Sequence, residues 1–246
     1  MRRTVEATPK AASLTERLAY LDWPSLEQSL WERGYAKTLS LLTPNECAEL
    51  IALYTDDTKF RSRVDMARYR FGVGEYKYFA DPLPPLVQAL RTHLYPALAA
   101  VANRWMEALR LPQRYPTDLS TLLVQCREHG QTRPTPLLLR YEAGGYNCLH
   151  QDLYGEVVFP LQLACVLSQR DCDYTGGEFL LLEQRPRAQS RGAAIMLDQG
   201  EIIIFTTRYR PARGARGYYR ATVRHGASTV LSGSRYTLGV IFHNAR

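Results

Sequence analysis

Tyr141-Glu142-Ala143-Gly144-Gly145-Tyr146-Asn147-Cys148-Leu149-His150-Gln151-Asp152 is the stretch whose reading decides the fold. In an extended segment residues i and i+2 project to the same side, so His150 and Asp152 point at one place while Gln151 faces away. A lone H-x-D arises by chance in roughly a fifth of chains with five His and ten Asp, so its company matters. His225 supplies a second imidazole, and Arg235 follows it by ten residues on the next short apolar run. Two imidazoles and one carboxylate occupy one face of a metal and leave the other face open. That ligand set suits non-haem Fe(II) that must bind both a co-substrate and O2.

Around this stretch, from Pro134 onward, the texture is of short apolar runs separated by turn residues. The runs are 137–141, 157–167, 178–182, 201–206, 221–225 and 235–242, with Gly176-Gly177-Glu178-Phe179 forming a turn into a strand. Such spacing predicts an all-β sandwich or jelly roll. The N-terminal half reads differently. Leu18, Leu21, Trp23, Leu26, Leu30 and Trp31 recur at helical spacing, Thr43-Pro44-Asn45-Glu46 is a capping box with Pro at the first helical position, and Pro84-Pro85 opens a long helical segment to Leu109. Arg68-Tyr69-Arg70-Phe71-Gly72-Val73-Gly74-Glu75-Tyr76-Lys77-Tyr78-Phe79 has strand-like aromatics that either pack in a core or, with the arginines, line a substrate groove. The expectation is a flexible tail over 1–17 and one α+β domain over 18–246. Helices over 18–133 would support a β core over 134–246.

The chain has 246 residues, with 31 Lys+Arg against 24 Asp+Glu. No acid follows Glu201, whereas Arg208, Arg210, Arg213, Arg216, Arg220, Arg224, Arg235 and Arg246 do, so the positive surplus is concentrated in the last 45 residues. A local cationic surface suits an acidic or phosphate-bearing partner, with codon bias the alternative reading of 27 Arg to 4 Lys. Cys47, Cys126, Cys148, Cys165 and Cys172 form no C-x-x-C pair, which fits a reducing compartment. With no apolar export segment or membrane-length run in the sequence, the expectation is a cytoplasmic protein without a membrane partner.

The run 141–146 leading into His150-Gln151-Asp152, then Gly176-Gly177-Glu178-Phe179, His225 and Arg235, resembles the Fe(II)/2-oxoglutarate-dependent dioxygenases, in particular their prolyl-hydroxylase-like branch. The likeness covers roughly residues 137–242. It implies a double-stranded β-helix, a jelly-roll or cupin-like core buttressed by the N-terminal helices. It further implies His150, Asp152 and His225 as catalytic iron ligands, with 2-oxoglutarate and O2 as co-substrates and Arg235 on the distal carboxylate of 2-oxoglutarate. The planar, permanently charged guanidinium fork matches a buried carboxylate. Thr237 shares the face of Arg235, and Tyr141 lies on the strand entering the iron motif; both are candidate donors to the same carboxylate. The activity implied is hydroxylation of a substrate C–H with release of succinate and CO2.

The narrower run His150-Gln151-Asp152-Leu153-Tyr154-Gly155-Glu156-Val157-Val158-Phe159-Pro160-Leu161-Gln162 is similar to a group of bacterial oxygenases labelled as oxidative demethylases of damaged nucleic acid, a DNA-repair role. Arg208-Tyr209-Arg210, Arg213 and Arg216 supply charge for phosphates and rings for bases, and are the candidate substrate residues. The ten-residue spacing from His225 to Arg235 resembles hydroxylases of protein side chains, so a peptide substrate stands as the alternative. Small-molecule hydroxylation and a non-catalytic cupin-like binding protein stand behind it. His93, His129 and His243 read as packing or surface residues, Cys148 as a core thiol, and Glu178 as structural.

Overall fold

The computed structural model describes residues 12–246. The expected tail over 1–17 lies outside the described residues as far as residue 11. From Leu14 the chain is helical, because Ser13 and Glu16 close a capping box at the start of α1 (Leu14–Ala19). The helices α2 (Trp23–Arg33), α3 (Pro44–Ala52), α4 (Pro85–Ala108) and α5 (Leu119–Glu128) follow. The Thr43/Glu46 box opens α3 as its sequence predicts. Asp118 caps α5, a helix the sequence reading did not anticipate.

Among the described residues fourteen strands are interleaved with these helices. They are β1 (Tyr35–Ser40), β2 (Phe60–Asp65), β3 (Gly72–Val73), β4 (Glu75–Phe79), β5 (Leu137–Glu142), β6 (Tyr146–His150), β7 (Leu161–Val166), β8 (Tyr174–Gly176), β9 (Phe179–Gln184), β10 (Arg191–Ile195), β11 (Glu201–Thr206), β12 (Tyr209–Gly214), β13 (Gly217–Ala227) and β14 (Val230–Ile241). They pair into a major sheet in the order β1-β11-β7-β14-β5-β4-β2, with β8 against the start of β14, and a minor sheet β10-β9-β13-β6-β3, with β12 against β13. All of the strand pairs are antiparallel. With the helices, this is the jelly-roll double-stranded β-helix expected for the core.

Within 68–79 two strands, β3 and β4, form where the aromatics read as strand-like, so the support over 18–133 is helical only in part. β1, β2, β3 and β4 all lie there, and β1 and β2 form the two outer strands of the major sheet. Tyr35 pairs with Phe205 and Ala36 with Ile204, so the chain needs its N-terminal segment to complete the sheet.

Period-two alternation decides what each major-sheet strand shows to either side. On β7, Leu161, Leu163 and Cys165 pack among the helices with Tyr95, Leu98 and Trp105, while Ala164 and Val166 face the minor sheet. On β11, Ile202 and Ile204 join the helical side, and Ile203 and Phe205 meet Phe179, Leu181 and Val223 between the sheets. β7 and β11 are therefore buried along their whole length, the pattern of strands covered on both faces. On β14, Leu238 and Val240 enter the helical core. Arg235, Thr237 and Gly239 are thereby turned into a cavity between the sheets.

Cys148 does not pack in the core. It lies exposed on β6, a strand covered along its outer edge only by the two-residue β3. His243 is fully buried, its Nδ1 accepting from the Phe159 amide at 3.2 Å and its Nε2 unpartnered. Burial pushes this imidazole down to about 4 from 6.5. The unfolded chain takes up the proton first, so the stability contributed is complete above pH 6.5 and is lost as pH falls toward 4. Between pH 7 and pH 5, wild-type protein is expected to lose about 2 kcal/mol more unfolding free energy than His243→Asn. Urea denaturation at the two pH values measures the difference, and equal losses would show that His243 is not the group responsible.

Candidate active site

β6 ends at His150, and β13 lies beside it with His225 directly opposite His150. The two rings sit with centroids 4.2 Å apart. Asp152, two residues past the end of β6, turns its carboxylate between them: Oδ2 is 3.2 Å from His225 Nε2 and Oδ1 is 3.5 Å from His150 Nε2. One potential ligand atom from each of the three residues lies within 4.8 Å of the others.

The orientation of His150 follows from its neighbour. Its Nδ1 is 2.8 Å from the Cys148 carbonyl, which can only accept, so Nδ1 carries a proton and Nε2 is the nitrogen turned toward Asp152. Tyr154 Oη donates to Asp152 Oδ1 at 2.7 Å, and Tyr78 Oη donates to Tyr154 Oη at 3.1 Å. Burial drives the Tyr154 phenol well above its ordinary range, which keeps it a donor. Burial also opposes ionisation of Asp152, but the hydrogen bond from His150 and the charge and hydrogen bond of His225 outweigh it and hold the carboxyl well below its usual range. His225 is lowered by burial and by the charge of His150; His150 is raised because Asp152 overcomes its own desolvation. An ionised carboxylate beside a buried neutral imidazole is a donor set for a divalent cation.

The opposite wall belongs to the major sheet. Arg235 on β14 faces Tyr141 on β5, and Thr237 faces Leu139. Arg235 is only 2% exposed, with its guanidinium 5.8 Å from the Tyr141 ring and 5.9 Å from that of Tyr174. Among the described residues no carboxylate pairs with it, and both its Nε and Thr237 Oγ1 are buried without a hydrogen-bond partner. Glu178, whose carboxyl Arg235 helps to lower, is engaged by Ser228 Oγ. The Tyr141 phenol is pushed up to about 12 by burial, partly offset by Arg235, and is therefore a proton donor at neutral pH.

The two walls enclose a cavity of about 380 Å³, with His150, Asp152 and His225 on one side and Tyr141, Arg235 and Thr237 on the other. Leu137, Leu139, Phe179 and Phe205 supply apolar lining, and Arg70, Phe71, Tyr76 and Tyr78 reach it from the segment that the sequence left open between core and groove. Tyr154 went unnoticed, although its i+2 relation to Asp152 puts both on one side. Gln151 does face away, donating to the carbonyls of Arg208 at 2.8 Å and Val223 at 2.7 Å and so tying this segment to β13 and to the residue that precedes β12.

None of Arg208, Tyr209, Arg210, Arg213 and Arg216 lines the cavity. Arg208, Arg213 and Arg216 are exposed, and Tyr209 is half-buried against the helical core. Arg210 is buried, with Nε 2.6 Å from Glu183 Oε2 and Nη1 donating to the Trp31 and Pro211 carbonyls. Its assignment to a substrate surface is corrected: its charge is taken up inside the protein.

A family model described as "Oxygenase, catalysing oxidative methylation of damaged DNA" matches residues 74–245. An uncharacterized protein of Mycobacterium tuberculosis is 52% identical over 167 residues, which are 68% of this chain and 72% of that one. Among solved structures, a prolyl 4-hydroxylase from Phytophthora capsici superposes with a TM-score of 0.55 at 15% identity, covering 96% of this chain and 68% of that one. A 2OG-Fe(II) oxygenase family oxidoreductase from Burkholderia pseudomallei gives 0.53 at 12% identity, covering 92% and 93%. These two likenesses show the fold; the family match, which spans most of the chain, shows membership. The chain belongs to this oxygenase family.

Proposed function

We propose that His150, Asp152 and His225 hold one Fe(II), that Arg235, Thr237 and Tyr141 hold the distal carboxylate of 2-oxoglutarate, and that the substrate is an N-alkylated base of nucleic acid. The observation that carries the co-substrate assignment is the unpaired buried guanidinium of Arg235, set across one cavity from the His/Asp/His group. A buried charge without a partner costs several kcal/mol, and a carboxylate ligand offsets that cost. Thr237 Oγ1 and the protonated Tyr141 phenol stand ready as further donors to it.

When bound, iron, 2-oxoglutarate and O2 supply the oxidation, with succinate and CO2 as by-products and one oxygen atom passing into a substrate C–H. The protein's part is binding and orientation. His150 and His225 offer imidazole nitrogens and Asp152 an ionised oxygen, while Tyr154 fixes the carboxylate and the Cys148 carbonyl fixes the His150 ring. Leu137, Leu139, Phe179 and Phe205 keep the interior poor in water. Hydroxylation of an N-methyl group would give a hemiaminal, which collapses to the free amine and formaldehyde. The family description and the unpaired arginine at the cavity wall, Arg70, support the nucleic-acid reading.

The Gly-Gly turn enters the same argument through space. Gly177 has φ +65, and a Cβ there would lie 2.8 Å from Arg235 Cδ. The glycine thus lets the turn close over the arginine stem.

His150→Ala, Asp152→Ala and His225→Ala are each expected to abolish succinate formation and to weaken Co(II) binding, read by its visible absorption, by at least about tenfold to a hundredfold. Undiminished Co(II) affinity in any one removes that residue from the ligand set. Arg235→Gln is expected to weaken 2-oxoglutarate binding by about 2–4 kcal/mol, roughly 30-fold to 1,000-fold, with Co(II) affinity unchanged. Gly177→Ala is expected to shift the same co-substrate titration in the same direction by a smaller factor. Calorimetric titration of the metal-loaded variants measures both, and wild-type affinity in Arg235→Gln would refute the carboxylate assignment. Formaldehyde release from methylated oligonucleotides, set beside mass shifts on peptides, tests the substrate class.

A further inference from the structure

We propose that Tyr69 and Phe71, flanked by Arg68 and Arg70, form a stacking platform at the cavity mouth for the bases of single-stranded nucleic acid. The proposal deepens the oxidative reading of the cavity and rests on it for the fate of the bound strand, but not for the binding itself.

The two rings are stacked on each other, centroids 5.6 Å apart and planes 21° from parallel, yet Tyr69 is 53% and Phe71 47% exposed. Neither joins any of the apolar clusters of the fold. Large rings left half in water away from a core mark a surface that something else covers. Phe71 and Arg70 also line the cavity, so the platform continues into the site rather than lying beside it. Tyr146 and Leu149, exposed on β6, extend the apolar rim next to His150.

Charge decides what kind of partner fits. Arg68 and Arg70 are both exposed, and no carboxylate pairs with either among the described residues. Asp65, the nearest acid along the chain, is occupied in accepting the Ala67 amide at 3.0 Å. The Arg68 guanidinium lies 6.0 Å from the Tyr69 ring, in cation–π range. Cations interleaved with accessible ring faces match a strand that presents phosphates and unstacked bases alternately. A duplex hides its base faces, so the ring surfaces would have nothing to stack upon until a base leaves the helix.

The platform is built in advance. Arg70 adopts left-handed backbone angles, φ 60 and ψ 30, a conformation unfavourable for a non-glycine residue. It is held there by the amides of Tyr69 and Phe71 donating to the Met66 carbonyl at 3.2 and 3.0 Å, and by Met66 N donating to Gly74 O at 3.0 Å. The Phe71 carbonyl then accepts from Cys148 N at 2.8 Å, and a Cβ on Gly72 would lie 2.2 Å from the Tyr146 carbonyl. The segment is thus pressed against the strand that carries His150. A preformed surface binds without the entropy cost of ordering a loop.

Fluorescence anisotropy of the Mn(II)-loaded full chain with a labelled ten-nucleotide oligothymidylate, its duplex and an acidic peptide tests this. Single-strand affinity is expected to exceed duplex affinity. Tyr69→Ala and Phe71→Ala should each weaken it by roughly 5-fold to 150-fold, Tyr69→Trp should retain it, and Arg70→Gln should lower the salt slope by about one counter-ion. No single-strand binding at low salt, preference for the duplex, binding of the peptide alone, or single-strand binding indifferent to both ring deletions would each overturn the platform. Succinate formation by the wild-type iron-loaded protein is read separately. Its absence alongside ring-dependent oligonucleotide binding overturns the oxidative assignment and leaves the platform standing.

Discussion

The register of β13 against its neighbours is the constraint on which the site depends. His225 meets His150 only because β13 is locked on its other side to β9 by six consecutive pairs, from Thr222 opposite Gln184 to Ala227 opposite Phe179. A slip of one residue would turn His225 outward and replace it inside with Arg224 or Gly226. The inward face is further specified by Val223, which packs with Leu181 and Phe205 between the sheets. Apolar packing therefore sets where an imidazole points, while Asp152 is placed by the irregular segment that follows β6. β14 is held in the same way, paired with β5 on one side and β7 on the other, which presents Arg235 and Thr237 together.

Where period-two chemistry and burial coincide, the sequence was readable. His150 with Asp152, and Arg235 with Thr237, are i and i+2 pairs whose shared side follows from strand geometry alone, and the capping box at Thr43 is a local hydrogen-bonding pattern. Where they part, it was not. In β1 the buried positions are Ala36 and Thr38 while Leu39 is 86% exposed, so hydrophobic alternation points to the wrong face. β6 is exposed or half-buried throughout, because the strand forms the cavity mouth, and it lacks the apolar signal that would announce a strand. Arg210 looked like a surface cation because its partner, Glu183, lies on another strand 27 residues away. A long-range ion pair leaves no trace in local pattern.

The same distinction sorts the arginines. A guanidinium fork can satisfy several acceptors at once, and many arginines here do so internally. Arg17 meets Glu46 and the Leu41 carbonyl, Arg104 forms two bonds to Glu27, Arg91 bridges the Phe242 carbonyl and Asn244, and Arg210 joins Glu183 to two backbone carbonyls. Net positive charge is consequently a poor measure of how much cationic surface a partner would meet. What matters is which guanidinium groups remain without an internal acceptor and where the fold puts them.

Two of those positions lie on the same path. Arg235 is buried in the cavity wall, where an unpaired charge is costly. Arg70 stands exposed at the outer end, where solvent screens its charge and the cost of leaving it unpaired is small. The energetics therefore differ in kind: an unpaired charge in a buried wall is relieved only by an anion that fits inside, whereas an exposed one acts on anions weakly and in a salt-dependent way. The ionised carboxylate of Asp152, hydrogen-bonded by Tyr154, is the lone acid among the described residues lining the same cavity. The two arginines of one cavity thus differ in what their charge costs the fold, burial making the unpaired Arg235 expensive and exposure making Arg70 cheap.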